Sequence, residues 1–297
     1  MPEIPLRSYD YAPQLGWSST RWETFRTCRR RYFYQHYARY DREFEQGRIQ
    51  RLRQLSSILM TVGTVVHEVL AALLRRLLRT GAEIDTQRFW PFVERTITRE
   101  LAKTSLMEVH YGQRLAPEPL ELMGPAWACL ETFLASDRYG WVRDQLGSDP
   151  RYLIEPPGYG EARLQGMKIY AKVDVLLESG GHTVILDWKS GRRDIEKHTR
   201  QLLGYAAWAQ DNMQVPAEQI RCVVAYLQPE YEEIEKQPTK AELEGLALEV
   251  AAEIAQMQSL CQDPQRNIPL AKDAFPLTDN LGYCRHCAFR ELCDRVD

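Results

Sequence analysis

The stretch AKVDVLLESGGHTVILDWKSG, residues 171–191, decides the fold. Two runs rich in Val, Leu and Ile flank the Gly-Gly pair at 180–181, and this pattern predicts a β-hairpin with a two-residue loop. Residues whose numbers sum to 361 then face each other, so Asp174 lies opposite Asp187. Lys189 is two residues beyond Asp187 and therefore points to the same side of the sheet.

Two aspartates on one sheet face need a partner between them, because adjacent carboxylates repel and unpaired buried charges are destabilising. Their oxygen ligands suit Mg²⁺ or Mn²⁺, which would lower the pKa of a bound water and polarise a phosphoryl oxygen. Lys189 could orient that water or stabilise the developing negative charge. The alternative is a surface hairpin with cross-strand ion pairs. Because Val173, Val175 and Leu186 embed the charges in apolar strands, the hairpin favours phosphodiester hydrolysis.

Composition bounds the class of protein. The chain has 297 residues, 44% of them hydrophobic and 27% charged, as in ordinary globular proteins. The net charge of −3 does not favour a nucleic-acid partner, so such a partner would have to meet a local patch. No apolar run approaches the roughly 20 residues of a membrane span, and the first residues lack a signal-peptide pattern. We therefore expect a cytoplasmic protein without a membrane partner, whose seven cysteines are reduced.

The order of predicted elements indicates an α/β core. A helix capped by Ser18 or Ser19 runs through residues 22–37, a long apolar helix runs from Ser57 to Thr80, and Gly81 ends it. Further elements are predicted as helices at about 86–111 and 120–146, strands at 151–156, 164–179 and 182–190, a helix at 198–213, a strand at 220–229 with a hairpin partner at 231–237, and a helix from Thr239 to about 261.

Three further candidate site groups surround the hairpin in sequence. His67 lies on the apolar helix in GTVVHEVLAALL, although a lone helical histidine is more often a core or surface residue. Gln201 and Tyr205 form an i, i+4 patch that could bind phosphate or the lysine, or could belong to an ordinary amphipathic helix. Glu155 is preferred over Glu161 as an additional acid because it follows the strand-like run at 152–154.

An arginine-rich segment precedes the core. Residues 21–53 hold four acidic residues and ten arginines, namely Arg21, Arg26, Arg29, Arg30, Arg31, Arg39, Arg42, Arg48, Arg51 and Arg53. Interleaved aromatic residues are Tyr32, Phe33, Tyr34 and Tyr37. Arginine with exposed aromatic rings suits single-stranded nucleic acid, with Arg29, Arg30 and Arg31 as the candidate phosphate contacts. The alternative is a solvated face whose aromatic residues belong to the core.

Cysteines close to the C-terminal end have the spacing of metal ligands. Cys284, Cys287 and Cys293 form a C-x2-C-x5-C pattern that lacks a fourth ligand. Cys28 is the best remaining candidate, because the other cysteines occur singly in helical or strand contexts. Four thiolates could bind either Zn²⁺ or an iron–sulfur cluster, and His286 could replace one cysteine in a zinc site.

Together these residues resemble the RecB-type branch of the PD-(D/E)XK nuclease superfamily, and in particular its iron–sulfur members, the CRISPR-associated exonucleases and the AddB C-terminal nuclease domain. The family pattern is a helical histidine, an acid, D-x-K, Q-x3-Y, one early cysteine and a late C-x2-C-x5-C. It matches here His67, Asp174, Asp187, Lys189, Gln201, Tyr205, Cys28, Cys284, Cys287 and Cys293. The sequence departs from the pattern at Arg29, where the family often has proline, and at Ala171, where it usually has glycine.

The resemblance implies a restriction-endonuclease-like αβββαβ core with a mixed sheet. The corresponding division is an N-terminal segment (1–56), a nuclease core (57–81 and 150–262), a helical insertion (82–149) and a C-terminal iron–sulfur motif (263–297), all in one globular unit. We name Cys28, Cys284, Cys287 and Cys293 the cysteine clasp, because a [4Fe-4S] cluster, favoured over zinc, would join both ends of the chain there.

The resemblance also implies roles for the site residues. His67, Asp174 and Asp187 would hold Mg²⁺ or Mn²⁺ with the backbone carbonyl of Trp188, and Lys189 would position the attacking water. Gln201 and Tyr205 would steady the lysine or the DNA strand.

The implied activity is a DNA nuclease, expected to be an exonuclease on single strands or ends, in recombination, repair or CRISPR adaptation. The sequence has no helicase segment, so unwinding would come from a helicase or CRISPR-adaptation partner. The alternatives are a non-catalytic nucleic-acid-binding subunit and a zinc-stapled structural protein.

Overall fold

A computed structural model describes residues 4–81, 84–148, 150–156, 158 and 160–295. The α-helices are α1 Ser19–Thr27, α2 Arg29–Tyr37, α3 Gln46–Arg53, α4 Ile58–Thr80, α5 Thr86–Lys103, α6 Met107–His110, α7 Pro119–Leu134, α8 Asp137–Gly147, α9 Ile195–Met213, α10 Lys240–Gln258 and α11 Leu281–Arg285. Short 3-10 helices are Ala38–Tyr40, Ala217–Gln219, Lys272–Ala274 and Arg290–Cys293. The strands are β1 Tyr152–Ile154, β2 Gly160–Leu164, β3 Met167–Ala171, β4 Val175–Ser179, β5 His182–Lys189, β6 Ile220–Tyr226, β7 Glu232–Lys236, β8 Cys261–Asp263 and β9 Ile268–Pro269.

The main sheet is mixed and has the strand order β1-β4-β5-β6-β7. Strands β5 and β6 are parallel, since α9 connects them, whereas the neighbouring pairs are antiparallel. Strands β2 and β3 form a separate ribbon, as do β8 and β9. The succession α4, β1, β4, β5, α9, β6 follows the predicted αβββαβ order, and the predictions of an α/β class and a mixed sheet are confirmed.

Hydrophobic cores cover both faces of this sheet. On one face α4 packs with α5, α7, α8 and strand side chains such as Val184 and Trp188. On the other face α9 and α10 pack with the N-terminal helices, and Trp17 donates a 2.7 Å hydrogen bond to the buried Glu253 carboxylate. Buried on both faces, β5 and β6 are near-continuous apolar runs, as is usual for central parallel strands.

Several predicted boundaries were wrong because a change of backbone direction or of strand partner interrupts the elements. The predicted first helix is two helices, since Cys28 is extended (φ −158°) and its thiol accepts a hydrogen bond from Arg31 N. The predicted second strand is split between β3 and β4, because β3 pairs with β2 instead of the main sheet. The two helical segments predicted before Pro150 are the four helices α5 to α8, and α10 ends at Gln258. The predicted boundaries at 82 and 149 lie outside the described residues.

Predicted caps hold at the ends of two helices. Gly81 adopts the left-handed conformation (φ 59°) at the end of α4, and Thr239 forms a capping box with Glu242 at the start of α10.

Helix α4 is apolar enough by length and composition to cross a membrane, with a mean hydropathy of 1.6. Core helices pass the same test, and ten of its residues are buried against the sheet and the neighbouring helices.

We expect Gly160→Ala to destabilise the fold. An added Cβ would lie 2.5 Å from Trp208 Nε1 and 2.8 Å from two ring carbons of that buried indole, so the ring or β2 must move. Overpacking of this kind costs about 1–3 kcal/mol of unfolding free energy. Gly245→Ala is the control, because a Cβ meets no atom there and alanine favours the helix by roughly 0.5–1 kcal/mol. A melting temperature of Gly160→Ala equal to or above that of Gly245→Ala would contradict the packing described.

Candidate active site

The candidate site lies where the β4–β5 hairpin meets α4 and α9. Residue pairs from Val175↔Leu186 to Ser179↔His182 have the predicted register, and Asp174 directly precedes the first of them. Asp174 and Asp187 are 4% and 2% exposed, so two carboxylates are buried side by side. Such a pair is unfavourable unless each carboxylate is compensated.

Asp174 is compensated by α4 and by the backbone of β5. Its Oδ1 lies 3.1 Å from His67 Nδ1, and its Oδ2 accepts a 2.8 Å hydrogen bond from Trp188 N. Glu155 Oε1 lies 3.0 Å from the same His67 nitrogen. Ligand atoms of His67, Glu155 and Asp174 all lie within 4.8 Å of one another, so these side chains could hold a metal ion.

Asp187 is compensated by α9 and by its own strand. The Tyr205 hydroxyl donates a 2.6 Å hydrogen bond to Asp187 Oδ1 and accepts one of 2.6 Å from Gln201 Nε2. Lys189 Nζ lies 2.5 Å from Asp187 Oδ2. That buried oxygen nevertheless has no aligned hydrogen-bond donor among the described residues, which leaves it able to accept a further ligand.

The electrostatics of the site are strongly perturbed. Burial raises the pKa of Asp174 to about 6; the charge of Asp187 adds to this shift and His67 opposes it. Burial alone would lower the pKa of His67, but the charges and hydrogen bonds of Asp174 and Glu155 outweigh it and raise that pKa to about 10. Burial and the charge of Asp187 raise the pKa of Tyr205, so its hydroxyl stays protonated and donates. Perturbed groups gathered in this way favour a functional site over a structural ion pair.

These residues fit a divalent cation. The donors are carboxylate oxygens and one imidazole nitrogen, which suit Mg²⁺ and Mn²⁺. A cation would offset both the burial and the charge of Asp187, which together raise the pKa of Asp174, and it would give Asp187 Oδ2 a partner. Of the predicted ligands, His67 and Asp174 lie within ligand distance of each other together with Glu155, whereas Asp187 lies outside this group. The roles of His67, Asp174, Asp187 and the Trp188 carbonyl as ligands stay predictions.

Glu155 is drawn into the site by an unusual backbone conformation. Its φ is 40°, in the left-handed region that non-glycine residues seldom adopt, and its N–H donates a 2.7 Å hydrogen bond to Asp174 O. Lys172 Nζ lies 3.3 Å from Glu155 Oε2. Lys172 was not predicted as a site residue. Its position two residues before Asp174 was nevertheless a signal, because alternate residues of a predicted strand lie on the same side. Glu161, the less favoured acid, instead pairs with Lys168 and Arg163.

Gly63 lies one turn before His67 on α4. Gly63 faces the end of β5 so closely that an added Cβ would lie 3.0 Å from Ser190 Oγ. Helix α4 can therefore approach the strand that carries Asp187 and Lys189.

A groove leads away from Gln201 and Tyr205, between α1 and α9. Its inner part has a volume of about 140 Å³ and its outer part about 320 Å³, and both parts share Ser19, Thr20 and Gln201. Lys172 lines the inner part. The lining of the outer part includes Thr24, Thr27, Arg31, Lys197 and the exposed Tyr283.

The aromatic residues of the arginine-rich segment are not available for stacking on bases. Tyr32, Phe33, Tyr34 and Tyr37 are at most 2% exposed. Phe33 and Tyr37 pack with Phe275, Tyr34 packs with Phe289, and Tyr32 packs with Phe25 and Tyr37. The interpretation of these rings as an exposed nucleic-acid surface was therefore wrong, and the core alternative holds.

The three arginines singled out in that segment have different environments. Arg29 lies over the Phe25 ring at 3.6 Å and donates to the Phe25 carbonyl. Arg30 Nε donates a 2.9 Å hydrogen bond to Phe275 O, which joins the N- and C-terminal regions. Arg31 lines the groove described above. Their role in nucleic-acid binding stays a prediction.

The cysteine clasp residues lie in neighbouring segments. Burial, followed by the charges of Cys287 and Cys28, raises the pKa of Cys293 to about 12, and Cys284 contributes to the same shift. Arg295 Nη1 lies 3.7 Å from Cys284 Sγ, and Tyr34 OH donates to Leu292 O beside Cys293. His286 is exposed. Hydrogen bonds of Arg30 and Tyr34 thus place the segment of Cys28 beside the C-terminal region, across more than 250 residues of sequence. Among the described residues the four thiols do not form a group of ligand atoms within 4.8 Å of one another, so the cluster stays a prediction.

Comparisons with known proteins identify one family. The model of the PD-(D/E)XK nuclease superfamily matches residues 16–294. A search of curated proteins found no significant match. Among solved structures, the crystal structure of SSO0001 is 15% identical and has a TM-score of 0.31, and the match covers 76% of this chain and 96% of that one. A similarity this weak carries no argument about the site.

In metal-free protein we expect His67→Gln to lower stability in a pH-dependent way. The folded-state pKa of His67 is raised from 6.5 to about 10, so its contribution is fully present below pH 6.5 and is lost as pH rises through about 10. Thermal melts with chelator should therefore show a gap between wild type and His67→Gln that shrinks from pH 6 to pH 10. A gap that stays constant or widens with pH would contradict the paired, protonated imidazole.

Proposed function

This chain belongs to the PD-(D/E)XK nuclease superfamily, and we propose that it is a Mg²⁺- or Mn²⁺-dependent deoxyribonuclease acting on single-stranded DNA or DNA ends. Membership implies a metal-dependent nuclease with DNA as substrate. The observation that carries the finer proposal is the buried Asp174–Asp187 pair, with His67 and Glu155 beside one carboxylate and Lys189 beside the other.

His67, Asp174 and Glu155, whose ligand atoms lie within 4.8 Å of one another, would hold the metal, and Asp187 would supply a further oxygen through Oδ2. When bound, a divalent cation lowers the pKa of a water and polarises a phosphoryl oxygen. His67 would have to lose its proton to act as a ligand, so metal binding would release a proton from the site. The Trp188 N–H fixes the Asp174 carboxylate so that one oxygen stays directed at His67.

Lys189 positions the attacking water and stabilises the charge that develops on the phosphate. Its ammonium is held beside Asp187 Oδ2, and about a fifth of its side chain is exposed, so substrate can reach it. Tyr205 orients Asp187 through its hydroxyl, and Gln201 orients Tyr205. The Q-x3-Y pair thus acts mainly through Asp187, which differs from the role of steadying Lys189.

The groove between α1 and α9 supports a single-stranded substrate. It is small in volume, begins at Gln201 and Tyr205, and offers hydroxyls, Arg31, Lys197 and an exposed Tyr283. Hydroxyl and cationic groups suit phosphates, and the tyrosine ring suits stacking on an unpaired base. A groove that admits one strand favours cleavage at single-stranded regions or ends, hence an exonuclease.

For the cysteine clasp we propose a structural [4Fe-4S] cluster. Support comes from the C-x2-C-x5-C spacing and from the hydrogen bonds of Arg30 and Tyr34, which hold the segment after Cys28 against the C-terminal region. A structural Zn²⁺ is the competing occupant.

The resemblance to iron–sulfur family members supports a role in recombination, repair or CRISPR adaptation, with a helicase or CRISPR-adaptation protein as partner. We propose a cytoplasmic location, since both DNA and reduced cysteines are found there.

We expect Asp187→Asn and Lys189→Met to lower the cleavage rate of end-labelled DNA by at least about 100-fold, because each removes a group acting in the transition state. The assay uses anaerobically purified protein, single- and double-stranded substrates, and Mg²⁺ or Mn²⁺ against chelator. Glu178→Gln is the matched control, since Glu178 pairs with Arg151 at the other end of the hairpin and should leave the rate unchanged.

Wild-type protein that binds but never cleaves DNA or RNA with either metal would sink the nuclease proposal. It would favour a non-catalytic binding subunit instead.

We expect Cys287→Ser to abolish absorption near about 400 nm and to lower the melting temperature, since an iron–sulfur clasp both absorbs there and closes a long loop worth roughly 5 kcal/mol. Cys261→Ser is the control, because Cys261 is half-buried beside Tyr37 and lies outside the C-x2-C-x5-C pattern. Anaerobic protein that contains zinc and lacks this absorption would replace the cluster by a zinc site.

A further inference from the structure

A second cationic cleft lies between α4 and α5, away from the metal site. Its volume is about 390 Å³. Four arginines and two phenylalanines dominate its lining, namely Arg76, Arg79, Arg88, Arg95, Phe89 and Phe92. None of these residues has a role in the metal site or the groove between α1 and α9.

The cleft follows from matching patterns on two antiparallel helices. On α4, Ala72, Arg76 and Arg79 have i, i+4, i+7 spacing and therefore share one face. On α5, Arg88, Phe92 and Arg95 have the same spacing. The two faces line one cleft, so both helices contribute arginines to it, and Phe89 and Phe92 of α5 belong to the same lining.

The charge of this region is the reverse of the chain's average. Residues 75–99 contain six arginines and three acids, whereas the whole chain has a net charge of −3. The acid in the cleft is Asp85, which pairs with Arg88 at 3.3 Å. Because these side chains are 50% and 90% exposed, the pair is weak and a phosphate can replace the carboxylate.

We propose that this cleft is a second binding site for the sugar–phosphate backbone of single-stranded nucleic acid. Arginine gives planar, forked hydrogen bonding to phosphate, and the neighbouring Phe92 ring offers an apolar surface for a base or sugar. An acidic peptide would pair with the arginines of the cleft but would leave its phenylalanine rings without a partner. From Arg88 to Arg95 the wall is about 10 Å long, which is the length of roughly three stacked nucleotides.

The position of the cleft separates it from the catalytic centre. Arg76 is nine residues after His67 on α4, about 13 Å along the axis and on the opposite side of the helix. Nucleotides bound in the cleft are therefore not those being cleaved. The cleft binds a further part of the same nucleic-acid strand that the catalytic centre cleaves. In this respect the inference rests on the proposed nuclease function.

The test compares Arg79→Gln/Arg88→Gln/Arg95→Gln with a control, Arg114→Gln/Arg143→Gln/Arg266→Gln, which removes equal charge from other exposed positions. Binding of fluorescent oligo-dT of about 30 nucleotides is measured in chelator over a range of salt concentrations. We expect the cleft variant to bind about 10-fold or more weakly, with a log–log salt slope smaller by about 2 for three lost phosphate contacts. Cleavage of an oligonucleotide of about 8 nucleotides should stay unchanged, as should the melting temperature.

Two outcomes overturn the inference. Equal binding of oligo-dT by the cleft and control variants would exclude the second site. The inference also fails if poly-glutamate binds wild type as tightly as oligo-dT does and the cleft variant alone loses affinity for poly-glutamate. Failure of the nuclease proposal is distinguishable, because wild type would then bind DNA in a cleft-dependent way without cleaving it.

Discussion

The burial of two carboxylates beside each other is the constraint on which the rest of the site depends. Asp174 and Asp187 are brought together by a tight hairpin whose loop fixes the register. Removing both from water is costly unless opposite charge and hydrogen bonds surround them. Each compensating group comes from a different element: His67 from α4, Tyr205 from α9 and Lys189 from β5 itself. The packing of α4 and α9 on opposite faces of the sheet thus brings these compensating groups to the hairpin.

The outer parts of the molecule extend this centre toward a polymeric substrate. The groove between α1 and α9 begins at Gln201, and its far end is lined by Arg31 and Tyr283, which neighbour the cysteine clasp in sequence. Loss of order at the cysteine clasp would therefore disturb the groove before it disturbed the metal ligands. The arginine cleft lies on the other side of α4 and offers positive charge where the chain as a whole is slightly acidic.

The features that the sequence could predict are the local ones. The hairpin register followed from Gly180-Gly181, and the ends of α4 and α10 from Gly81 and Thr239, because such signals act over a few residues. Contacts between distant segments were harder. Lys172 was overlooked because its partner Glu155 lies just after β1, in an earlier part of the chain.

The C-terminal region, over 230 residues away, determines two features of the N-terminal segment. These are the split of the first helix at Cys28 and the burial of the aromatic residues that follow it. Periodicity within one segment cannot distinguish an aromatic residue buried by a remote partner from one left exposed.

The most direct test of the account is anomalous scattering from crystals soaked in Mn²⁺, using Lys189→Met to prevent turnover. The account predicts a peak between the Asp174 and Asp187 carboxylates, at about 2.0–2.2 Å from their oxygens, as expected for a hard divalent cation. Full occupancy of Mn²⁺ elsewhere, with the two carboxylates still facing each other without metal, would contradict it.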